Sequence, residues 1–234
     1  MLKILILIAV CLFASFGAAY AQEAKPTNIE VKKSEPKPVK KANRRPTSEA
    51  AKSAALAEPF EKATVEAMAL QCVKLETEAG MIELEMFPES APESVRGFLN
   101  LAASGALDTT TFSRVVPGFI VQGGDLFTRP AKMTAELDKR ARRTLPDEPS
   151  QIKHERGILS MARADEPNTA TTNFFILLGE ARHLDGTFAA FGRVVKGIET
   201  VEAINKLPVE GDKPTKPVRI NRATAAACSV PVKP

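Results

Sequence analysis

The segment Phe112–Asp125, which reads FSRVVPGFIVQGGD, constrains the fold of this chain more than any other stretch. Two short runs of strand-forming residues flank a proline-glycine bend, and a pair of glycines closes the segment. Alternation with a period of two predicts that Phe112, Arg114 and Val116 share one face of the first strand. An arginine between large apolar residues is costly to bury unless its guanidinium is paired or used.

Residue type alone favours a plain interpretation of Arg114, in which its stem packs on the sheet and its guanidinium meets a surface carboxylate. The sequence around Arg114 favours a functional interpretation. It resembles the signature of the cyclophilins, the peptidyl-prolyl cis-trans isomerases, which reads Phe-x-Arg-x-x-x-Gly-Phe-x-x-Gln-Gly-Gly-Asp, and every fixed position is filled here. A second block agrees: GILSMA at 157–162, NFFI at 173–176, LDG at 184–186 and FG at 191–192. The resemblance covers most of residues 70–227 and indicates a member of the exported, bacterial type.

The periodicity of the domain indicates many short strands and two helices. An alternating hairpin turns at Ala79-Gly80, and its alternation predicts one buried face and one wet face, with Glu83 and Glu85 toward solvent. A helix follows that Ser90 and Glu93 would start as a capping box and Gly105 would end. Residues 126–156 are charged and irregular and are predicted to form a long surface loop. The remaining predicted elements are strands at 158–162, 174–178, 189–195 and 218–227 and a helix at 197–207.

This pattern predicts a mainly β fold. Closure into a barrel would remove exposed strand edges, so we expect a closed β-barrel. The resemblance implies the same architecture, namely a closed eight-stranded antiparallel β-barrel capped by two α-helices.

The N-terminus has the features of an export signal. Lys3 precedes an apolar run from Ile4 to Phe16, and Ala19-Tyr20-Ala21 fits a small-x-small cleavage site. The alternative is a retained membrane anchor, because the run is nearly long enough to span a bilayer. We expect a signal peptide at 1–21 and an exported protein in the periplasm or cell envelope.

Residues 22–46 form the next predicted segment, a disordered basic arm. It carries eight basic and three acidic side chains, four prolines and almost no large apolar residues, so most of the chain's net charge of +4 belongs to it. We expect a tether, and the alternative is weak contact with anionic lipid or another envelope polymer. No aromatic residues interleave the charges, so nucleic-acid binding is not expected. An Ala/Glu-rich helical lead-in (47–70) then precedes the isomerase domain (71–230).

The resemblance implies a role for each matching residue of the site. Arg114 would be the catalytic donor, and Gln122 would orient it and bind a substrate carbonyl. The implied proline pocket consists of Phe119, Ile120, Phe175 and Leu184, with Phe188 along its wall. The other implied substrate-binding residues are Ala162, Asn173 and His183. No cofactor is implied. A metal is not expected either, because neither histidine of the chain has neighbours at metal-ligand spacing.

Four positions depart from common family residues. Asn173 stands where many members have Gln, which shortens its reach by one methylene, and Ser113 and Ile120 replace a frequent His and Met. His183 occupies the position where some members carry the Trp that binds cyclosporin. None of these changes removes Arg114 or the apolar pocket.

Cys72 and Cys228 are the two cysteines that remain once Cys11 leaves with the signal. The barrel that the resemblance implies brings its first and last strands side by side, so these cysteines are predicted to form a disulfide in an oxidising compartment. The alternative is two separate buried thiols.

The expected partners are proline-containing peptides and unfolded exported proteins, and we expect the domain to act as a monomer. Two other classes of function stay open. One is a proline-peptide binding or chaperone module without useful turnover, which a turnover measurement would identify. The other is an envelope interaction protein whose basic arm is the active part, which deletion of residues 22–46 would identify.

Overall fold

The computed structural model describes residues 58–229. The predicted signal peptide (1–21), the basic arm (22–46), the lead-in before residue 58 and residue 230 of the predicted domain lie outside the described residues. Within the described range, no helix is both long enough and apolar enough to cross a membrane.

The described chain contains ten β-strands and four α-helices. The strands are β1 Gln71–Thr77, β2 Gly80–Met86, β3 Arg114–Val116, β4 Ile120–Gly123, β5 Ile158–Met161, β6 Phe174–Leu177, β7 Ala190–Lys196, β8 Val209–Glu210, β9 Lys213–Pro214 and β10 Ile220–Ala227. The helices are α1 Val65–Ala69, α2 Pro92–Ala103, α3 Ala135–Arg142 and α4 Ile198–Asn205, with 3-10 turns at Leu126–Thr128 and Arg182–Leu184.

Eight strands form one curled antiparallel sheet in the order β10-β1-β2-β7-β5-β6-β4-β3, and β8 and β9 form a separate small hairpin. The predicted mainly β class and the eight antiparallel strands are therefore confirmed. The closed barrel is not confirmed, because β10 and β3 are not paired as strands. The segment in front of β3 meets Arg219 and the start of β10 through an isolated bridge between Thr111 and Arg219 and neighbouring hydrogen bonds.

The inner face of the sheet carries the main apolar core. One row across four strands consists of Val115, Val121, Ile176 and Leu159, and all four side chains are fully buried. Helix α2 lies against this core near β7 and β10. Because side chains alternate along each strand, the neighbouring row of the same strands faces the other way.

Helix α2 begins differently from the prediction. Its N-cap is Ala91, which makes no side-chain capping bond, so the predicted Ser90–Glu93 capping box is wrong. The Glu148 carboxylate instead accepts hydrogen bonds from the backbone N–H groups of Glu93 and Ser94, each at 2.8 Å. A distant residue therefore satisfies the free donors of the first turn.

The predicted surface loop at 126–156 contains helix α3, so that prediction is wrong in part. Thr134 caps the helix by accepting from the Leu137 N–H, acidic residues lie in its first turn and basic residues in its last. This charge order favours the helix dipole. Only Leu137 of the helix is buried, which explains why no apolar stripe marked it in the sequence.

Strand β2 departs from the predicted pattern of one buried and one wet face. Glu83 and Glu85 are each only 3% exposed, although alternation placed them toward solvent. Glu85 accepts from Arg193 Nε at 2.5 Å, and Glu83 lies 3.6 Å from Lys196 Nζ and accepts from the Ser229 N–H. These partners on β7 and after β10 cover the carboxylates.

Cys72 of β1 and Cys228, just after β10, are joined as a disulfide, with their Cα atoms 4.8 Å apart. The antiparallel pairing of β1 with β10 brings them together, since Cys72 lies opposite Ala226. The open ends of the sheet do not prevent this contact, because β1 and β10 are neighbours within the ladder.

Candidate active site

A row of residues on the outer face of the sheet forms the centre of the candidate site. The register pairs Arg114 of β3 with Gln122 of β4, and Gln122 with Phe175 of β6. Paired residues direct their side chains to the same face, so the sheet places a cation, an amide and an aromatic ring side by side.

Phe112 does not belong to this face, so its predicted position beside Arg114 is wrong. Strand β3 begins only at Arg114, and Phe112 is fully buried in the main core with its ring 6.3 Å from that of Phe174. Its N–H donates to Val218 O at 2.9 Å, so the chain before β3 follows the segment in front of β10. The alternation of β3 therefore does not extend back to Phe112, because the chain before β3 is hydrogen-bonded to the segment in front of β10.

A second apolar cluster, separate from the main core, lies beside Arg114. Ile120, Phe175, Leu177 and Ala181 are its buried members. The partly buried side chains packed on them are Val116, Phe119, Ile158, Ala162, Leu184 and Phe188. All five residues that the resemblance implied for the proline pocket and its wall meet here: Phe119, Ile120, Phe175, Leu184 and Phe188.

The other implied substrate residues line the rim of this cluster. His183 is exposed in the 3-10 turn Arg182–Leu184 and stacks on Phe119, with ring centroids 6.2 Å apart and planes 25° apart. Ala162 and Asn173 are partly exposed, and the Ala162 N–H donates to Asn173 O at 2.9 Å. The rim thus presents an imidazole on one side and backbone polar groups with an amide side chain on another.

Gly124, the second of the two glycines that close the signature segment, permits a close approach of two chain segments. A Cβ on Gly124, whose φ is +90°, would lie 2.2 Å from Thr172 O. Thr172 in turn donates from its hydroxyl to Gly124 O at 2.8 Å. This contact fixes the end of β4 against the segment that leads into Asn173.

The Arg114 guanidinium has two partners. Its Nε donates to Asp212 Oδ2 at 2.6 Å, and its Nη1 lies 3.5 Å from Gln122 Oε1. The hydrogen bond from Arg114 lowers the pKa of the Asp212 carboxyl below its ordinary value, so this carboxylate stays charged across the neutral range. The implied contact with Gln122 is present at the long limit of a hydrogen bond, and Asp212 is a partner that the sequence did not indicate.

Asn205, at the end of α4, holds the turn that carries the pocket residues. Its Nδ2 donates to Val116 O at 2.9 Å and to Ile120 O at 3.0 Å, and its Oδ1 accepts from the Gly118 N–H at 2.7 Å. The residue is only 5% exposed. One buried amide therefore satisfies three backbone groups on both sides of Phe119.

A buried network supports the far wall of the pocket. His154 Nε2 lies 3.1 Å from Ser160 Oγ, and its Nδ1 lies 3.1 Å from Asp185 Oδ1. Burial lowers the pKa of His154 below its ordinary value despite the opposing charge of Asp185. Ser160 is fully buried, so this Ser-His-Asp arrangement has no access to a substrate and acts as a brace between two loops.

Arg163 forms part of the wall next to Phe188. Its guanidinium carbon lies 4.6 Å from the Phe188 ring centroid, and its Nη1 donates to Ala164 O at 2.8 Å and Asp165 O at 3.0 Å. The side chain is only 16% exposed, so its contacts fix the loop after β5 rather than leave a free cation.

The sequence did not point to Asp212, Asn205 or Arg163 as parts of the site. The first two lie at least 80 residues after β3, since Asp212 is separated from Arg114 by 98 positions and Asn205 from Gly118 by 87. The only sequence signal of Asp212 was a turn composition around Gly211, and that of Asn205 was the polar end of an amphipathic helix.

Within residues 58–229, no group of three His, Cys, Asp or Glu side chains is arranged to hold a metal ion.

Comparison with known proteins shows the family to which this chain is similar. Residues 72–225 match the family model described as cyclophilin type peptidyl-prolyl cis-trans isomerase/CLD. The chain is 41% identical over 137 residues to peptidyl-prolyl cis-trans isomerase CYP23 of Arabidopsis thaliana, which covers 58% of this chain and 61% of that protein. It is 35% identical over 165 residues to peptidyl-prolyl cis-trans isomerase A of Dickeya dadantii, covering 64% of this chain and 82% of the relative.

A solved structure shares the fold. It is a cyclophilin type peptidyl-prolyl cis-trans isomerase of Cryptosporidium parvum, crystallised in the presence of the dipeptide Ala-Pro. The TM-score is 0.59 at 31% identity, over 67% of this chain and 99% of the other. This chain therefore belongs to the cyclophilin-type peptidyl-prolyl cis-trans isomerase family, and its enzyme class is that of the prolyl isomerases.

Proposed function

We propose that this isomerase works by stabilising the twisted imide of an Xaa-Pro bond with the Arg114 guanidinium while the neighbouring apolar cluster holds the proline ring. The single observation that carries the proposal is the row of Arg114, Gln122 and Phe175 beside that cluster.

The chemistry of the reaction explains why these groups suffice. Rotation about a peptide bond is opposed by a barrier of about 18–20 kcal/mol that arises from C–N double-bond character. No bond is broken, so no nucleophile is needed. In the twisted state the imide nitrogen regains its lone pair and can accept a hydrogen bond, and an arginine donates one without losing its charge.

The pocket contributes by binding the part of the substrate that does not rotate. The apolar surface for the proline ring consists of Phe119, Ile120, Phe175 and Leu184. Phe188 packs edge-to-face on Phe175, with the two ring centroids 6.4 Å apart. Gln122 and the polar rim at Ala162 and Asn173 would hold the peptide backbone. Lowering the barrier by about 7 kcal/mol would accelerate rotation on the order of 10⁵-fold.

A turnover measurement tests this proposal. The protein should accelerate cis-trans exchange of an Ala-Pro peptide without added cofactor, and Arg114→Ala should lose at least about tenfold in kcat/KM, equivalent to roughly 1.4 kcal/mol. Equal rates for wild type and Arg114→Ala would remove Arg114 from the mechanism. Peptide binding by a wild-type protein with no measurable turnover would favour the alternative of a binding module.

We further propose that the substrates are unfolded exported proteins and that the enzyme works in the periplasm or cell envelope, with residues 22–46 as a tether. Two observations support this: the signal-like sequence at 1–21, and the joined pair Cys72–Cys228, which fits an oxidising compartment. N-terminal sequencing of the protein recovered from cell fractions tests it. A mature chain that begins at Gln22 in the envelope fraction is expected, and an uncut chain in the cytoplasm would contradict the proposal.

A further inference from the structure

We propose that Asp212 is a positioning residue for the reaction, because its carboxylate holds the Arg114 guanidinium in the orientation that meets the substrate. The inference rests on the proposed role of Arg114 and adds to it a residue from outside the signature segment.

The geometry makes Asp212 the principal anchor of Arg114. The Nε–Oδ2 distance of 2.6 Å is short for a charge-assisted bond, whereas the Nη1–Gln122 Oε1 distance of 3.5 Å is at the limit of hydrogen bonding. A guanidinium is planar and carries five N–H donors. When Asp212 takes the Nε–H and Gln122 one Nη1–H, the plane is fixed and the remaining donors stay available for a substrate.

Backbone hydrogen bonds hold the hairpin that carries Asp212, so the position of this hairpin does not depend on the Asp212 side chain. Asp212 lies in the turn of the β8–β9 hairpin, whose strands pair Val209 with Pro214 and Glu210 with Lys213. Its carbonyl accepts from the Val115 N–H at 2.7 Å, so the hairpin turn is attached to β3 right beside Arg114. Replacing the side chain would therefore leave the position of the hairpin unchanged.

Exposure argues against a role in folding. The side chains of Arg114 and Asp212 are 45% and 55% exposed, and exposed ion pairs contribute little to stability. An unanchored arginine samples many rotamers, and ordering it in the transition state would cost conformational entropy. Fixing the side chain beforehand removes this cost from the chemical step.

The test compares Asp212→Asn, Asp212→Ala and Asp212→Glu in the full protein on an Ala-Pro peptide. Asp212→Ala should lower kcat about tenfold with little change in KM, because the lost orientation matters mainly in the transition state. Asp212→Asn keeps an acceptor but no charge and should lose less, and Asp212→Glu should recover part of the rate. Thermal unfolding should be unchanged in all three.

A spectroscopic readout separates positioning from a general structural effect. The Arg114 Nε–H proton should exchange slowly with solvent in the wild type and faster in Asp212→Ala, as observed by NMR. The matched control is Asp138→Asn, which removes a carboxylate from the exposed Arg142–Asp138 pair on α3. This control should leave both kcat and the Arg114 signal unchanged.

The double variant Arg114→Ala/Asp212→Ala decides whether the two residues act together. If Asp212 acts through Arg114, removing it should cost nothing further once Arg114 is absent. An equal loss in both backgrounds, or full kcat in Asp212→Ala, would overturn the inference. Full activity of Arg114→Ala alone would instead refute the proposed function, so the two failures are distinguishable.

Discussion

At the scale of single residues, His183 is the departure from common family residues with the clearest consequence. It is exposed and stacks on Phe119 at the rim of the apolar cluster. An imidazole covers less area than an indole, so the surface offered to a large apolar ligand is smaller.

Cyclosporin should therefore bind more tightly to His183→Trp than to the wild type, by roughly three- to tenfold if an aromatic contact contributes about 1 kcal/mol. Isothermal titration measures the difference. His183→Phe is the matched control, because it adds apolar area without the indole N–H donor. No gain in His183→Trp would show that this position does not limit binding.

Another residue-scale effect concerns His154, which is almost fully buried and faces Asp185, Ser160 and, through Asp185, Lys153. Burial lowers its pKa below the ordinary value of 6.5, with Asp185 opposing and the charge of His183 assisting. The unfolded chain therefore binds more protons than the folded chain just below that value.

The free energy of unfolding should consequently have its full value above pH 6.5. It should decline as the pH falls from 6.5 toward the lower pKa of His154 in the folded state. Urea unfolding at several pH values measures this, and the decline should disappear in His154→Gln. Because that variant could unfold, the His154 ring should also be titrated directly by NMR. A pKa of His154 at or above the ordinary value would contradict this prediction.

At the scale of elements, the turn between β3 and β4 depends on α4. Asn205 supplies all three side-chain hydrogen bonds to Val116, Gly118 and Ile120 that the structure gives this turn. Removing a buried partner leaves backbone groups unsatisfied, at a cost of about 1–3 kcal/mol.

Asn205→Ala should therefore destabilise the protein by about 2 kcal/mol and weaken binding of an Ala-Pro peptide, because Phe119 lies on this turn. Urea unfolding and peptide titration measure the two effects. The control is Asn221→Ala, at an exposed position on β10, which should change stability by less than about 0.5 kcal/mol. If Asn205→Ala is less stable but binds the peptide as well as the wild type, the turn does not need Asn205 to shape the pocket.

The elements also show what the sequence could and could not predict. Strands with clear alternation and the helices at 92–103 and 198–205 were predicted near their observed bounds, since burial of one face leaves a periodic trace. Helix α3 was missed because it buries only Leu137, and the start of α2 was misassigned because Glu148, 55 residues away from Glu93, caps it. Local patterns do not record such distant partners.

The candidate site, too, could be predicted from the sequence only in part. The resemblance indicated residues that lie in or beside its motifs, and the structure brings Arg114, Gln122 and the pocket residues together. Asp212 and Asn205 reach the site only through the packing of the hairpin and α4 against β3 and β4. No pattern near either residue distinguishes it from an ordinary surface turn or helix end.

At the scale of the whole molecule, the disulfide between Cys72 and Cys228 links the two ends of the described domain across 156 positions. A link of this length removes much entropy from the unfolded chain, roughly 5 kcal/mol at most in the chain-entropy model. It connects β1 and β10, which are separated from β4 and β6 in the sheet order. The bond should therefore affect stability without affecting the site.

Reduction should lower the free energy of unfolding of the wild type by about 2–5 kcal/mol and leave the isomerase rate of the still-folded protein unchanged. Cys228→Ser is the control, because reductant should not alter its stability. Mass spectrometry of the unreduced protein should show a two-hydrogen increase on reduction. Two thiols that alkylate freely in unreduced, unfolded protein would rule the bond out.

Arg114 is proposed to interact with the twisted imide more strongly than with the planar substrate. NMR line-shape analysis of an Ala-Pro peptide with wild type and Arg114→Ala measures binding and on-enzyme exchange in one experiment. We predict that Arg114→Ala binds both the cis and the trans peptide within about twofold of wild type while its exchange rate falls at least about tenfold. A variant that binds ten times more weakly but exchanges the bound peptide at the wild-type rate would contradict it.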